Sequence, residues 1–215
     1  MTSGRDEVLS RVRHANGPTA RTVDVQRSYR TAGEHQPGGT AVVALLEDRL
    51  VDYRAAVRRT DDQGLPQAIA AALNEAGAGG SPVLMPSGLP RNLLPEGQTD
   101  HADMGARELE GFAAVVTGCV VACAETGTIV LDGSPDQGRR AITLVPDVHV
   151  CIVRDDQIVQ TVPEMLARCD STRPITFVSG PSATSDIELD RVEGVHGPRT
   201  LSVILVTRPS RDPED

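Results

Sequence analysis

Six short apolar runs constrain this chain most: Val83–Met85 between two prolines, Ala113–Val116, Thr128–Leu131, Val148–Val153, Ile175–Val178 and Leu201–Val206. They are rich in valine and isoleucine, are bounded by turn residues, and several show no polar alternation. Such runs suit strands covered on both faces, as in a parallel sheet flanked by helices. Helical spacing fills part of the intervening sequence. Leu46, Leu50, Tyr53 and Val57 fall at i, i+4, i+7 and i+11, and Leu65, Ile69 and Leu73 repeat the pattern before the glycines at 77 to 80. Shorter helical pieces fit Ala106–Gly111 and Val162–Cys169. Strand and helix alternation of this kind predicts a three-layer, Rossmann-like α/β fold.

The first forty residues read differently. Ser3 with Asp6 three positions on resembles a helix start, Val8, Leu9 and Val12 follow at helical spacing, and Asn16-Gly17-Pro18 stops the pattern. From Thr19 to Thr40 the chain is polar, carries Pro37-Gly38-Gly39 and shows no sustained period, as expected of an extended linker. The N-terminus has no apolar signal segment, and no apolar run reaches the roughly 18 residues of a membrane span, so the cytoplasm is the expected compartment.

Charge and composition exclude several classes of function. All 21 basic residues are arginine. Without lysine there is no Schiff base, no pyridoxal phosphate linkage and no Walker-type phosphate loop. A net charge of −9 and 2% aromatic residues argue against nucleic acid. The four cysteines, Cys119, Cys123, Cys151 and Cys169, lack the paired C-x2-C spacing of zinc ribbons or bound clusters and read as buried thiols.

Three polar, glycine-punctuated segments stand out. In the first, Ala124-Glu125-Thr126-Gly127-Thr128, the glycine permits close backbone approach, the threonines offer hydroxyls, and Glu125 is a possible acid, base or nucleophile; a plain helix C-cap at Gly127 is the alternative. The second runs from Ser179 through Gly180, Ser182 and Thr184 to Asp186 and Glu188. It follows a strand, where loop amides and hydroxyls meet anions, although a Ser/Thr-rich turn capping a helix explains it equally. The third brackets His196 with Gly194 and Gly197, freeing the backbone to aim an imidazole that titrates near neutrality. Asp186, Glu188 and His196 form too common a pattern to assign a metal, and no cofactor is assigned.

Together the strings AETGT, SGPSATSDIE and GVHGPRTL resemble the lactate-utilisation protein C family, built on the LUD domain. Leu144-Val145-Pro146-Asp147-Val148-His149 is similar to that family's L-x-P-x-x-H approach to a strand. The resemblance implies a cytoplasmic component of a system oxidising lactate to pyruvate alongside iron-sulfur partner proteins. It further implies a fold similar to the sugar-phosphate isomerase and CoA transferase superfamily. The implied domain limits are 1–39 for helix and linker, 40–208 for the LUD domain and 209–215 for an acidic tail. The three glycine-punctuated segments at strand ends themselves suggest polar or proton-transfer groups at Glu125, Asp186 and His196, and ligand contacts at Thr126, Gly127, Thr128, Ser179, Gly180, Ser182, Thr184, Glu188 and Gly197. The ligand expected is a small carboxylate or other anion. A noncatalytic assembly subunit and an independent isomerase or acyl-transferase are the alternatives.

Overall fold

The computed structural model describes residues 3–17, 24–184, 192–193 and 197–207; the acidic tail at 209–215 lies outside them. The chain forms two compact units, Met1–Arg30 and Thr31–Asp215. In the first, α1 (Gly4–Asn16) begins where the extended Ser3 accepts a hydrogen bond from the Asp6 amide, and it ends at Gly17, whose φ is 71°. No residue of α1 is buried. The stretch read from sequence as one linker is divided between the units. Within the second unit the His35 amide donates to Gln160 Oε1 (2.9 Å) and the Gly38 amide to the Ile158 carbonyl (2.9 Å).

The second unit continues through α2 (Thr40–Asp52), β1 (Ala56–Thr60), α3 (Leu65–Glu75), β2 (Val83–Met85), β3 (Gln98–Thr99), α4 (Ala106–Leu109), β4 (Ala114–Thr117), β5 (Val121–Cys123), β6 (Thr128–Leu131), β7 (Val148–Arg154), β8 (Ile158–Val159), α5 (Val162–Ala167), β9 (Thr176–Val178), β10 (Ala183–Thr184), β11 (Val192–Glu193) and β12 (Thr200–Val206). Six strands make a parallel sheet in the order β1-β12-β7-β4-β2-β3. Its two longest strands lie side by side and are buried on both faces. Val148, Val150 and Ile152 of β7 and Ile204 of β12 pack with α3, whereas Cys151, Val153, Leu201, Val203 and Leu205 pack with Val42, Leu46 and Leu50 of α2. This double burial is why those runs carry no polar alternation.

A second, mixed sheet, β8-β5-β6-β9, was not foreseen. Ala122, Ile129 and Ile158 close the α2-side core from this sheet, and its other residues Val121, Val130 and Val159 pack against Met165 of α5. Helical spacing also misled at one point. The pattern from Leu46 predicts a helix through Val57, but α2 stops at Asp52, Arg54 takes a φ of 65°, and Val57 enters β1 opposite Val203. An i+11 coincidence with the helix period is outweighed by a ladder of parallel-strand hydrogen bonds along β12. Cys119, Cys123 and Cys151 are buried, Cys169 is partly buried, and all four are free. Among the described residues no helix is long and apolar enough to cross a membrane.

Candidate functional site

The first polar segment turns the chain between β5 and β6, which pair antiparallel with Cys123 opposite Thr128. It is therefore a hairpin turn rather than the end of a helix. Gly127 has a φ of 59°, and a Cβ there would lie 2.9 Å from the Arg49 Cβ and 3.2 Å from the Tyr53 ring, so the tip rests against the end of α2. Glu125 is held by Gln160, whose side-chain amide donates to Glu125 Oε1 (3.2 Å). The Thr126 hydroxyl donates to Thr128 Oγ1 (2.9 Å), and Thr128 Oγ1 lies 2.8 Å from Ser179 Oγ. A chain of three hydroxyls thus joins the first segment to the second.

The second segment leaves the end of β9. Gly180 adopts a φ of 88°, and an added Cβ would sit 2.8 Å from the Tyr53 Cβ and 3.0 Å from its carbonyl oxygen; both conformation and space demand glycine. The Ser182 amide then donates to the Pro198 carbonyl (2.9 Å), and a Cβ added at Gly197 would lie 3.6 Å from the Ser182 Cβ. The described end of the third segment therefore meets the second. Thr184 is on β10, opposite Val192 of β11. Asp186, Glu188 and His196 lie outside the described residues.

Beneath β9 opens a cleft of about 310 Å³, whose polar lining comes from Arg140, Thr143, His149, Thr176, Ser179 and Ser182, with Phe177, Leu144 and Leu201 as apolar walls. Glu125, Thr126, Gly127 and Thr128 do not line it; they reach it only through Ser179. None of the described residues lining it is acidic.

His149 and Arg140 give the cleft its chemistry. His149 is 2% exposed, with Nε2 2.8 Å from the buried Thr117 hydroxyl. Loss of hydration penalises its cation, lowering the pKa to about 4. The ring is therefore neutral near pH 7, and its other nitrogen has no partner among the described residues. Arg140 is exposed, and its guanidinium has no ion-pair or hydrogen-bond partner among the described residues. The neighbouring Arg139, by contrast, is clasped by Asp100 (2.9 and 2.8 Å) and by the Met104 carbonyl (2.7 Å).

The position of the cleft departs from the expectation for open α/β sheets. Ser179 to Ser182 follow the carboxyl end of β9, but His149 and Leu201 are the second residues of β7 and β12, so the cleft opens at the amino ends of those parallel strands. The opposite edge is partly covered. Past the end of β4 the Gly118 amide donates to the Asp136 carbonyl, and past the end of β2 the Gly88 amide donates to the Pro135 carbonyl, both at 2.8 Å.

Sequence reasoning passed over Arg140 and gave His149 no role, although His149 closes the L-x-P-x-x-H string; that string was the available signal. Among the described residues no three His, Cys, Asp or Glu side chains gather as metal ligands.

Comparison with known proteins places these observations in a family. A family model, the LUD domain, matches residues 48–206. A Deinococcus radiodurans protein named lactate utilization protein C is 52% identical over 168 residues, covering 75% of this chain and 77% of the relative. A Bacillus subtilis protein of the same name is 28% identical over 246 residues, covering 96% and 99%. The crystal structure of a DUF162 family protein from Deinococcus radiodurans has a TM-score of 0.65 and 43% identity, covering 77% of this chain and 96% of that one.

Proposed function

This chain belongs to the LUD domain family, and from that footing we propose that it serves in lactate utilisation, binding a small carboxylate in the cleft beneath β9. One observation supports the reading above others. On a chain of net charge −9, the cleft brings together an arginine with no partner among the described residues, a neutral histidine and the hydroxyls of Ser179 and Ser182, with no described carboxylate in its lining. A guanidinium fork matches a carboxylate, and a neutral imidazole accepts from or donates to a 2-hydroxyl or 2-keto group. In this proposal Thr126, Gly127 and Thr128 position Ser179, while Gly180 and Gly197 shape the wall. Asp186, Glu188 and His196, which lie in sequence between the walls at Ser182 and Gly197, supply proton-transfer or polar groups, as does Thr184; Glu125 supports the hairpin. A cytoplasmic location and iron-sulfur partner proteins belong to the same proposal and rest on the family resemblance.

A second reading, an assembly subunit, draws on the wholly unburied α1, with Val8 60% and Val12 49% exposed. Growth on lactate of a deletion host complemented with Arg140→Ala, His149→Asn or a chain lacking residues 1–30 separates the two. The binding reading predicts that both point variants, folded by circular dichroism, grow poorly while the truncation grows well. Normal growth of both point variants contradicts it, and failure of the truncation alone favours the assembly role.

A further inference from the structure

A second cleft, of about 340 Å³, adjoins the one beneath β9, and the two share Arg140, Thr143 and Thr176. Their walls follow one continuous strip of chain, from Arg173 at the far end of the second cleft to Ser182 in the first. The strand at its centre, β9, alone spans about 10 Å at roughly 3.3 Å per residue. Each cleft has the volume of a site for a ligand of at least drug size, on the order of 300 Å³ or more, and a three-carbon acid fills a fraction of either.

Two features of the lining specify what else the space suits. The second cleft is bordered by Arg139, Arg140 and Arg173. Arg139 is engaged by Asp100 through Nε and Nη2, and Arg173 reaches Asp132 (3.1 Å) and Ser134 (2.9 Å) through Nη1 alone. With those two arginines each matched by one carboxylate, Arg140 is the cation of the lining whose guanidinium has no ion-pair or hydrogen-bond partner among the described residues. Guanidinium groups with unused N–H donors are the side chains best matched to phosphate oxygens. The second feature is aromatic. Phe177, one of two phenylalanines in the chain, lies on the wall of the first cleft and is 53% exposed. An exposed ring in a cleft that a cation also lines suits the flat face of a heteroaromatic base.

We propose that the two clefts act as one groove that takes a nucleotide-sized organic phosphate, gripped at Arg140 with its planar group against Phe177, in addition to any small acid. The proposal rests on reading the β9 cleft as the ligand site. Isothermal titration of the full chain with ADP, inorganic pyrophosphate, lactate and pyruvate tests it. ADP should bind, Arg140→Ala should weaken it by about tenfold or more, and Arg173→Ala should weaken it less. Phe177→Leu should weaken ADP and leave pyrophosphate unchanged. Arg140 and Phe177 are exposed, so their variants should keep the wild-type melting temperature, whereas Arg173→Ala leaves the buried Asp132 without its guanidinium and should lower it. The proposal is overturned if ADP shows no binding at millimolar concentration, or if its affinity is indifferent to both Arg140→Ala and Phe177→Leu. Binding of lactate or pyruvate without ADP removes the nucleotide groove and leaves the small-carboxylate reading standing. ADP binding sensitive to Arg140→Ala, with neither acid bound, does the reverse.

Discussion

An imidazole enclosed by the sheet and bonded through one nitrogen to Thr117 gives up the hydration that its protonated form needs, so His149 titrates near pH 4 rather than near 6.5. Between those values the unfolded chain binds more protons than the native one. Native stability therefore falls as pH drops from about 6.5 towards about 4, by an amount on the order of 3 kcal/mol for this residue. Urea denaturation across that range checks it: His149→Asn should flatten the acid limb relative to wild type. An unchanged limb would show that His149 is not held neutral by burial. At physiological pH the same neutrality keeps a hydrogen-bonding group, not a second cation, in the cleft that Arg140 also lines.

Among the elements, β9 organises the site, because its antiparallel pairing with β6 brings Ser179 to Thr128 across 51 positions of sequence. Its exit is fixed by Gly180 against Tyr53. Gly180→Ala forces a side chain into a left-handed conformation and into the Tyr53 backbone, so it should cost roughly 1–3 kcal/mol. Thermal denaturation should show a clear fall in Tm; an unaltered Tm would mean that the β9 exit is not held as described. Elements of this kind also mark how far the sequence could be read. β7 and β12 were legible because burial on both faces leaves uninterrupted apolar runs. β1 was hidden because Arg58 and Arg59 break its apolar pattern and Val57 fits a helix period. β5 and β8 were hidden because three and two residues carry no measurable period. The glycines and hydroxyls of the three polar segments were legible as local chemistry. The partnership of Thr128 with Ser179, and the burial of His149 beside Thr117, depend on strand pairings that no local pattern encodes.

For the molecule as a whole, a chain with nine more acids than arginines repels anions at long range, yet it lines two adjoining clefts with arginines and keeps acidic side chains out of the described lining of the β9 cleft. Long-range charge is screened over roughly 8–10 Å at physiological salt, so in the proposed binding mode recognition falls to Arg140 and the neutral groups that line the cleft with it. The ring nitrogen of His149 that has no partner among the described residues is the most direct reporter of the proposed recognition. Histidine side-chain nitrogen spectra of the labelled protein, with the His149 signals assigned through His149→Asn, should show the ring nitrogen not bonded to Thr117 shifting as lactate or pyruvate is added. The shift should saturate, and it should be lost in Arg140→Ala. A titration that saturates by calorimetry while both His149 nitrogens stay in place would contradict binding in the cleft beneath β9.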